Sequence, residues 1–178
     1  MRIFNFSAGP AVLPRPVLEE AQRDLVELPG VGMSVMEISH RSKTFDGILE
    51  TAVANMRSLA GIPGNYKVLF MQGGASQQFS MVPMNLLLPG STADYIVTGD
   101  WAKKAQKEAK KLGAGATTVA ASTEAGGFKR VPKQSEIRFT DGASYVHMTS
   151  NNTIFGTEFS YTPETTGAPL VCDASSDI

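Results

Sequence analysis

Five short stretches of this 178-residue chain carry the residue types that chemistry needs. In Gln72-Gly73-Gly74-Ala75-Ser76 two glycines let backbone amides approach an anion closely. A helix starting near Ala75 or Ser76 would aim its N–H groups at that anion, with the Ser76 hydroxyl as a further donor. A plain strand-to-helix turn is the alternative. The nucleotide fingerprints do not fit, because no G-x-G-x-x-G occurs and no lysine follows the glycines. Gly99-Asp100-Trp101 holds the only tryptophan, which could offer a ring face to a planar ligand or simply join a core. Thr149-Ser150-Asn151-Asn152-Thr153 is a run of hydroxyl and amide donors that turn chemistry alone would also explain.

Asp173 is the sharpest residue. It ends the apolar run Leu170-Val171-Cys172, where burying a carboxylate is costly unless it is paired. A protonated pyridine nitrogen would pair with it, and the ion pair would keep that ring cationic and able to accept electrons. A helix cap or structural hydrogen bond is the competing role. His40-Arg41 completes the set: arginine can clamp a carboxylate in a bidentate fork, although such a pair is also an ordinary surface feature.

These residues need elements to hold them. Helix-like and strand-like segments alternate, which predicts an α/β architecture. A first helix begins at Pro16, carries Leu18, Ala21, Leu25 and Leu28 at helical spacing, and stops at Pro29-Gly30. A second follows Ser42-Lys43-Thr44, with the stripe Phe45, Leu49, Ala52, Met56 and Leu59, and ends at Gly61. Residues 66–71, 95–98, 144–148 and 170–173 read as buried strands. Residues 77–87 and 101–112 read as crossover helices, with Pro83 against the first. Residues 123–138 read as a loose excursion. In open α/β sheets ligands bind beyond the C-terminal strand ends, where four of the five stretches fall. A parallel strand normally continues into a crossover, and only five residues follow Asp173, so the sheet is expected to be incomplete.

Composition excludes several classes. The formal net charge is -1 and the basic residues are dispersed, so no nucleic-acid or membrane-surface partner is expected. The lysines from Lys103-Lys104 to Lys110-Lys111, interrupted by Glu108, read as a solvated helix face. The single Cys172 cannot form an internal disulfide, and Met1–Phe6 lacks a secretory apolar core, so a soluble cytoplasmic protein is expected. Two histidines and one cysteine leave no metal-ligand spacing and no serine or cysteine triad.

The order of these stretches resembles one family. Phe4–Pro10, Gly32–Arg41, Asn65–Gly74, Ala93–Tyr95 with Gly99–Trp101, Asn151–Thr153 and Val171–Ser176 are similar to phosphoserine aminotransferases over essentially the whole chain. The resemblance implies a fold-type-I, class-V transferase that uses pyridoxal 5'-phosphate and works as a homodimer. Residues 1–15 would be an N-terminal arm. Residues 16–178 would form the first portion of the cofactor-binding large domain, a mixed, mostly parallel sheet with flanking helices. The implied reaction moves an amino group from L-glutamate to 3-phosphohydroxypyruvate, giving 2-oxoglutarate and O-phospho-L-serine, in serine and in many bacteria pyridoxine synthesis.

Position by position, the resemblance gives Ala75 and Ser76 to the cofactor phosphate and Trp101 to stacking on the ring. It gives Thr153 to the phenolic side of the pyridine and Asp173 to the ring nitrogen. Arg41 would hold the substrate carboxylate, with His40 near the substrate phosphate. Two departures stand out. Some members carry Gly-Arg in place of Ala75-Ser76, and some a serine in place of Ala8. The family's Schiff-base lysine is expected in a segment after the Asp173 motif, so residues 1–178 alone are expected to be inactive. Another class-V enzyme, or a non-catalytic cofactor-binding or dimerisation module, is the alternative reading.

Overall fold

The computed structural model describes residues 2–7 and 11–177; Ala8 lies outside them. The chain divides into two compact units, Met1–Phe70 and Met71–Ile178.

In the first unit, helix α1 (Arg15–Val26) has Pro16 in its opening turn, where the missing N–H costs nothing. It stops two residues earlier than the apolar spacing suggests. Leu28 instead accepts from the Val31 N–H at 3.0 Å and donates to the Met33 carbonyl at 2.8 Å, closing the turn over Pro29-Gly30. Helix α2 (Lys43–Ala60) begins where the Ser42 hydroxyl accepts from the Phe45 N–H at 3.2 Å, and it ends at Gly61, φ 62°, in the left-handed region. Phe45, Ala52 and Met56 of its stripe are half-buried, whereas Leu49 and Leu59 are exposed. The strand expected over residues 66–71 is absent. No described strand pairs with this segment, and without a ladder its backbone has no sheet to join. Tyr66, Leu69, Phe70 and Met71 are accordingly exposed.

The second unit is an α/β sheet structure. Helix α3 (Ala75–Leu86) leads to strand β1 (Thr92–Val97), helix α4 (Asp100–Leu112) and strand β2 (Ala116–Ser122). Strand β3 (Val146–Thr149) runs into a short hairpin of two-residue strands, β4 (Asn151–Asn152) and β5 (Thr157–Glu158), before strand β6 (Leu170–Asp173). The main sheet has the order β2-β1-β3-β6 and is parallel throughout, while β4 and β5 pair antiparallel. The expected mostly parallel α/β architecture is therefore present. From β1 the chain moves outward one way to β2 and then returns to the other flank as β3. The C-terminal ends of β1 and β3 thus form the switch point at which such sheets leave a crevice.

Strand β1 is central and almost wholly buried, so its alternating side chains feed two cores. Ala93, Tyr95 and Val97 pack with Phe79, Leu87, Ala105 and Tyr145 on the side of α3 and α4. Ile96 packs with Ala120, Ile137, Val146, Met148 and Phe159 on the other. Buried Asp94 accepts the Thr140 N–H at 2.6 Å and its hydroxyl at 2.7 Å, which offsets the cost of its charge.

Three expectations need correction here. Strand β6 is an edge strand with no fully buried residue, and Cys172 is exposed, because only β3 covers it. Residues 123–138 are not loose: Phe128 and Ile137 are buried, and Arg130 forms a two-pronged contact with Glu136 at 2.6 and 2.8 Å. Pro83 does not interrupt α3; it is buried within the helix.

Candidate cofactor site

At the switch point β1 gives way to Thr98 and Gly99. The buried Thr98 hydroxyl accepts from Asn152 Nδ2 at 2.9 Å. A Cβ on Gly99 would collide with that same Asn152 side chain, so only glycine lets the β3–β4 segment approach β1 this closely. Helix α4 therefore starts at once, and Trp101 sits in its first turn, 38% exposed at the mouth of the crevice.

On the neighbouring strands Thr149 is paired in register with Asp173, so their side chains emerge on one face. The Asp173 Oδ1 atom accepts the Ser175 N–H at 3.2 Å and the Ser175 hydroxyl at 2.6 Å. Both bonds fall on one oxygen, leaving Oδ2 with its lone pairs. Thr149 is 2% exposed, and among the described residues its hydroxyl oxygen has no partner. A buried hydroxyl without a bond is costly, and a ligand group in the crevice would satisfy it.

Helix α3 closes the crevice. Gly73 has φ 87°, a backbone turn that favours glycine, and Gly74 caps the helix without a side chain. Gln77 and Gln78 both donate to the Gly74 carbonyl, so the preceding N–H groups of Ala75 and Ser76 have no acceptor within the helix. They form the positive end of the helix.

Gly74, Ala75, Ser76, Trp101, Thr149, Asn151, Thr153, Asp173, Ser175 and Ser176 line one cleft of about 350 Å³. All five residues expected at the cofactor (Ala75, Ser76, Trp101, Thr153 and Asp173) are thus brought together, Thr153 from the turn between β4 and β5. His40 and Arg41 belong to the first unit. Both are exposed in a turn where the Arg41 N–H donates to the Ser39 hydroxyl at 3.1 Å.

Two residues near this cleft carry no site role in the sequence reading. His147, in the middle of β3, is buried, and among the described residues its Nδ1 has no partner. Its ring stacks on Tyr95 at 5.2 Å and meets Phe79 edge-on at 6.0 Å. Burial pushes the imidazole down from its ordinary 6.5 to about 4, against the opposing pull of the Asp173 carboxylate. Near neutral pH it is therefore uncharged. Lys104 is the other. It is half-buried, and its ammonium donates to the Ser76 hydroxyl at 2.7 Å and lies 5.3 Å from the centre of the Trp101 ring. The lysines of α4 are thus not all a solvated face.

A shallower groove of about 700 Å³ runs along α4 and β2, bordered by lysines and glutamates. Lys103 pairs with Glu124 at 2.5 Å and Lys111 with Glu108 at 2.7 Å, while Lys104 and Lys107, which also line it, make no ion pair among the described residues. Among the described residues no group of His, Cys, Asp or Glu is placed to hold a metal ion, and no helix is long and apolar enough to cross a membrane.

Comparison with known proteins finds similarity along the whole chain. Phosphoserine aminotransferase of Herpetosiphon aurantiacus is 51% identical over 178 residues, covering 100% of this chain and 49% of that protein. The enzyme of Laribacter hongkongensis is 55% identical, covering 99% of this chain and 48% of its own length. The crystal structure of phosphoserine aminotransferase from Trichomonas vaginalis with bound pyridoxal phosphate superposes with a TM-score of 0.90. It is 39% identical, over 99% of this chain and 52% of that one. The chain spans about half the length of the curated relatives it matches. The aminotransferase class-V profile matches residues 3–178, and the chain belongs to that family.

Proposed function

We propose that this chain supplies the cofactor cradle of a phosphoserine aminotransferase, with residues 16–178 in the large domain and residues 1–15 as its arm. The reading rests on one observation: an anion-binding helix end, an aromatic face and a strand-end carboxylate share one cleft of about 350 Å³. Those three features suit the phosphate, the ring and the ring nitrogen of pyridoxal 5'-phosphate. When bound, this cofactor supplies an electron sink for carbanion chemistry at the amino-acid α-carbon.

The protein's own residues then have defined tasks. The N–H groups of Ala75 and Ser76 and the Ser76 hydroxyl hold the phosphate. Trp101 offers its face to the ring and shields it from water. Asp173, with Oδ1 fixed by Ser175, keeps a proton on the ring nitrogen through Oδ2. Thr149 and Thr153 offer hydroxyls along the ring edge. Arg41 grips the substrate carboxylate, with His40 beside the substrate phosphate. The substrates are L-glutamate and 3-phosphohydroxypyruvate, in serine synthesis and, by the same enzyme class, in pyridoxine synthesis. The working form is a cytoplasmic homodimer.

Asp173→Asn in the full-length protein tests the assignment. The substitution keeps the shape and should leave the fold intact, while amino transfer from glutamate falls by orders of magnitude. Near-normal turnover would remove Asp173 from the mechanism. A wild-type protein without glutamate–phosphohydroxypyruvate exchange would remove the function.

A further inference from the structure

We propose that Lys104 is a phosphate-binding residue, which neutralises the phosphomonoester of the cofactor at the N-terminus of α3. The inference rests on the reading that this cleft holds pyridoxal phosphate.

An ammonium has three donors and no acceptor, so what faces it reveals what it can still bind. Lys103 and Lys111, on the same helix, end on carboxylates. Among the described residues no carboxylate lies within ion-pair distance of Lys104. Its partner is a neutral hydroxyl, Ser76 Oγ at 2.7 Å, and its other neighbour is the Trp101 ring at 5.3 Å. A hydroxyl and a ring face hold the ammonium in place without neutralising it. The charge is therefore positioned and unspent.

It is also positioned at a donor cluster. Ser76 is the second residue of α3, and its N–H and that of Ala75 lack helical acceptors. Because Ser76 Oγ accepts from Lys104, its own O–H points to another acceptor. Lys104 borders the neighbouring α4–β2 groove, and its bond to Ser76 Oγ brings its charge to the edge of the helix end where the two N–H groups lie. The cleft independently asks for a ligand, since Thr149, only 2% exposed, lines it with its hydroxyl unpartnered among the described residues. Lysine, a flexible point charge, suits a phosphate because it needs no planar match. At neutral pH such a phosphomonoester carries between one and two negative charges, more than a helix end alone offsets.

A phosphomonoester could come from the cofactor or from the substrate. Bonding to Ser76 assigns Lys104 to the cofactor, and the experiment separates the two. The full-length protein, freed of cofactor, is titrated by equilibrium dialysis with pyridoxal phosphate and with pyridoxal, which lacks the phosphate. Lys104→Gln should weaken pyridoxal phosphate about tenfold, the effect of one lost charge-assisted hydrogen bond. Pyridoxal affinity should stay within about twofold, which also reports that the cleft is folded. Lys104→Arg should recover most of the loss, and the wild-type affinity should fall more steeply with salt than that of Lys104→Gln.

Equal binding of pyridoxal phosphate by wild type and Lys104→Gln overturns the inference alone. So does an equal loss for both ligands, or a loss confined to O-phospho-L-serine binding by the cofactor-loaded enzyme. A wild-type protein that binds no pyridoxal phosphate overturns the proposed function, and this inference with it.

Discussion

Replacing His147 by phenylalanine should make the protein less sensitive to acid. The imidazole is held between Tyr95 and Phe79, and burial depresses it from 6.5 to about 4. Between those two pH values the native state binds fewer protons than the unfolded chain, so stability rises with pH across the window. The contribution is complete above pH 6.5 and is lost as pH falls through about 4. Worked through the linkage relation, acidifying from pH 7 to pH 5 costs about 2 kcal/mol from this one group. Asp173 is the charged group that opposes the shift, and Asp173→Asn should therefore push His147 lower still. Phenylalanine keeps a ring against Tyr95 and Phe79 and removes the orphaned Nδ1. Urea unfolding at pH 7 and pH 5 for wild type and His147→Phe gives the double difference, in which other titrating groups cancel. The wild type should lose about 2 kcal/mol more than the variant. Equal losses, or an NMR titration placing His147 near 6.5, would refute the buried neutral imidazole.

Arg41→Lys keeps the charge and loses the fork, so the apparent affinity for L-glutamate should weaken while the absorption spectrum of bound cofactor stays put. Loss of cofactor with unaltered glutamate affinity would contradict the assignment. Gly99→Ala drives a methyl group into the buried Asn152 side chain and breaks its bond to Thr98. Thermal unfolding should report a loss of about 1–3 kcal/mol, and pyridoxal phosphate affinity should fall with it. An unchanged midpoint would mean that Asn152 moves freely.

The sequence announced its best-capped and most central elements. Ser42 and Gly61 bound α2 because a hydroxyl and a left-handed glycine solve the end problem locally. That the proposed site residues share one cleft was legible because glycines, hydroxyls and a carboxylate cluster just past strand ends, where α/β sheets form their crevices. Strand β2 was not legible: only Ala120 of its seven residues is buried, so no alternation marks it. Residues 66–71 have a strand's composition, yet pairing is a tertiary property, and no described strand pairs with them. His147 was hidden inside an apolar run, where only packing shows that its imidazole is enclosed. Lys104 was hidden among similar lysines. Its distinction is a neighbour on another helix, which no local pattern encodes.

The order β2-β1-β3-β6 also fixes when the cleft can exist. Each strand pair of this parallel sheet joins segments well separated along the chain, so loop closure must precede any reward from pairing. Asp173 arrives on the last of these strands, after the helices that carry Ser76, Trp101 and Lys104. An early intermediate built from α3, β1, α4 and β2 would present the anion cradle and ring face but not the carboxylate. During synthesis from the N-terminus, the proposed phosphate seat is made before Asp173, the proposed partner of the ring nitrogen.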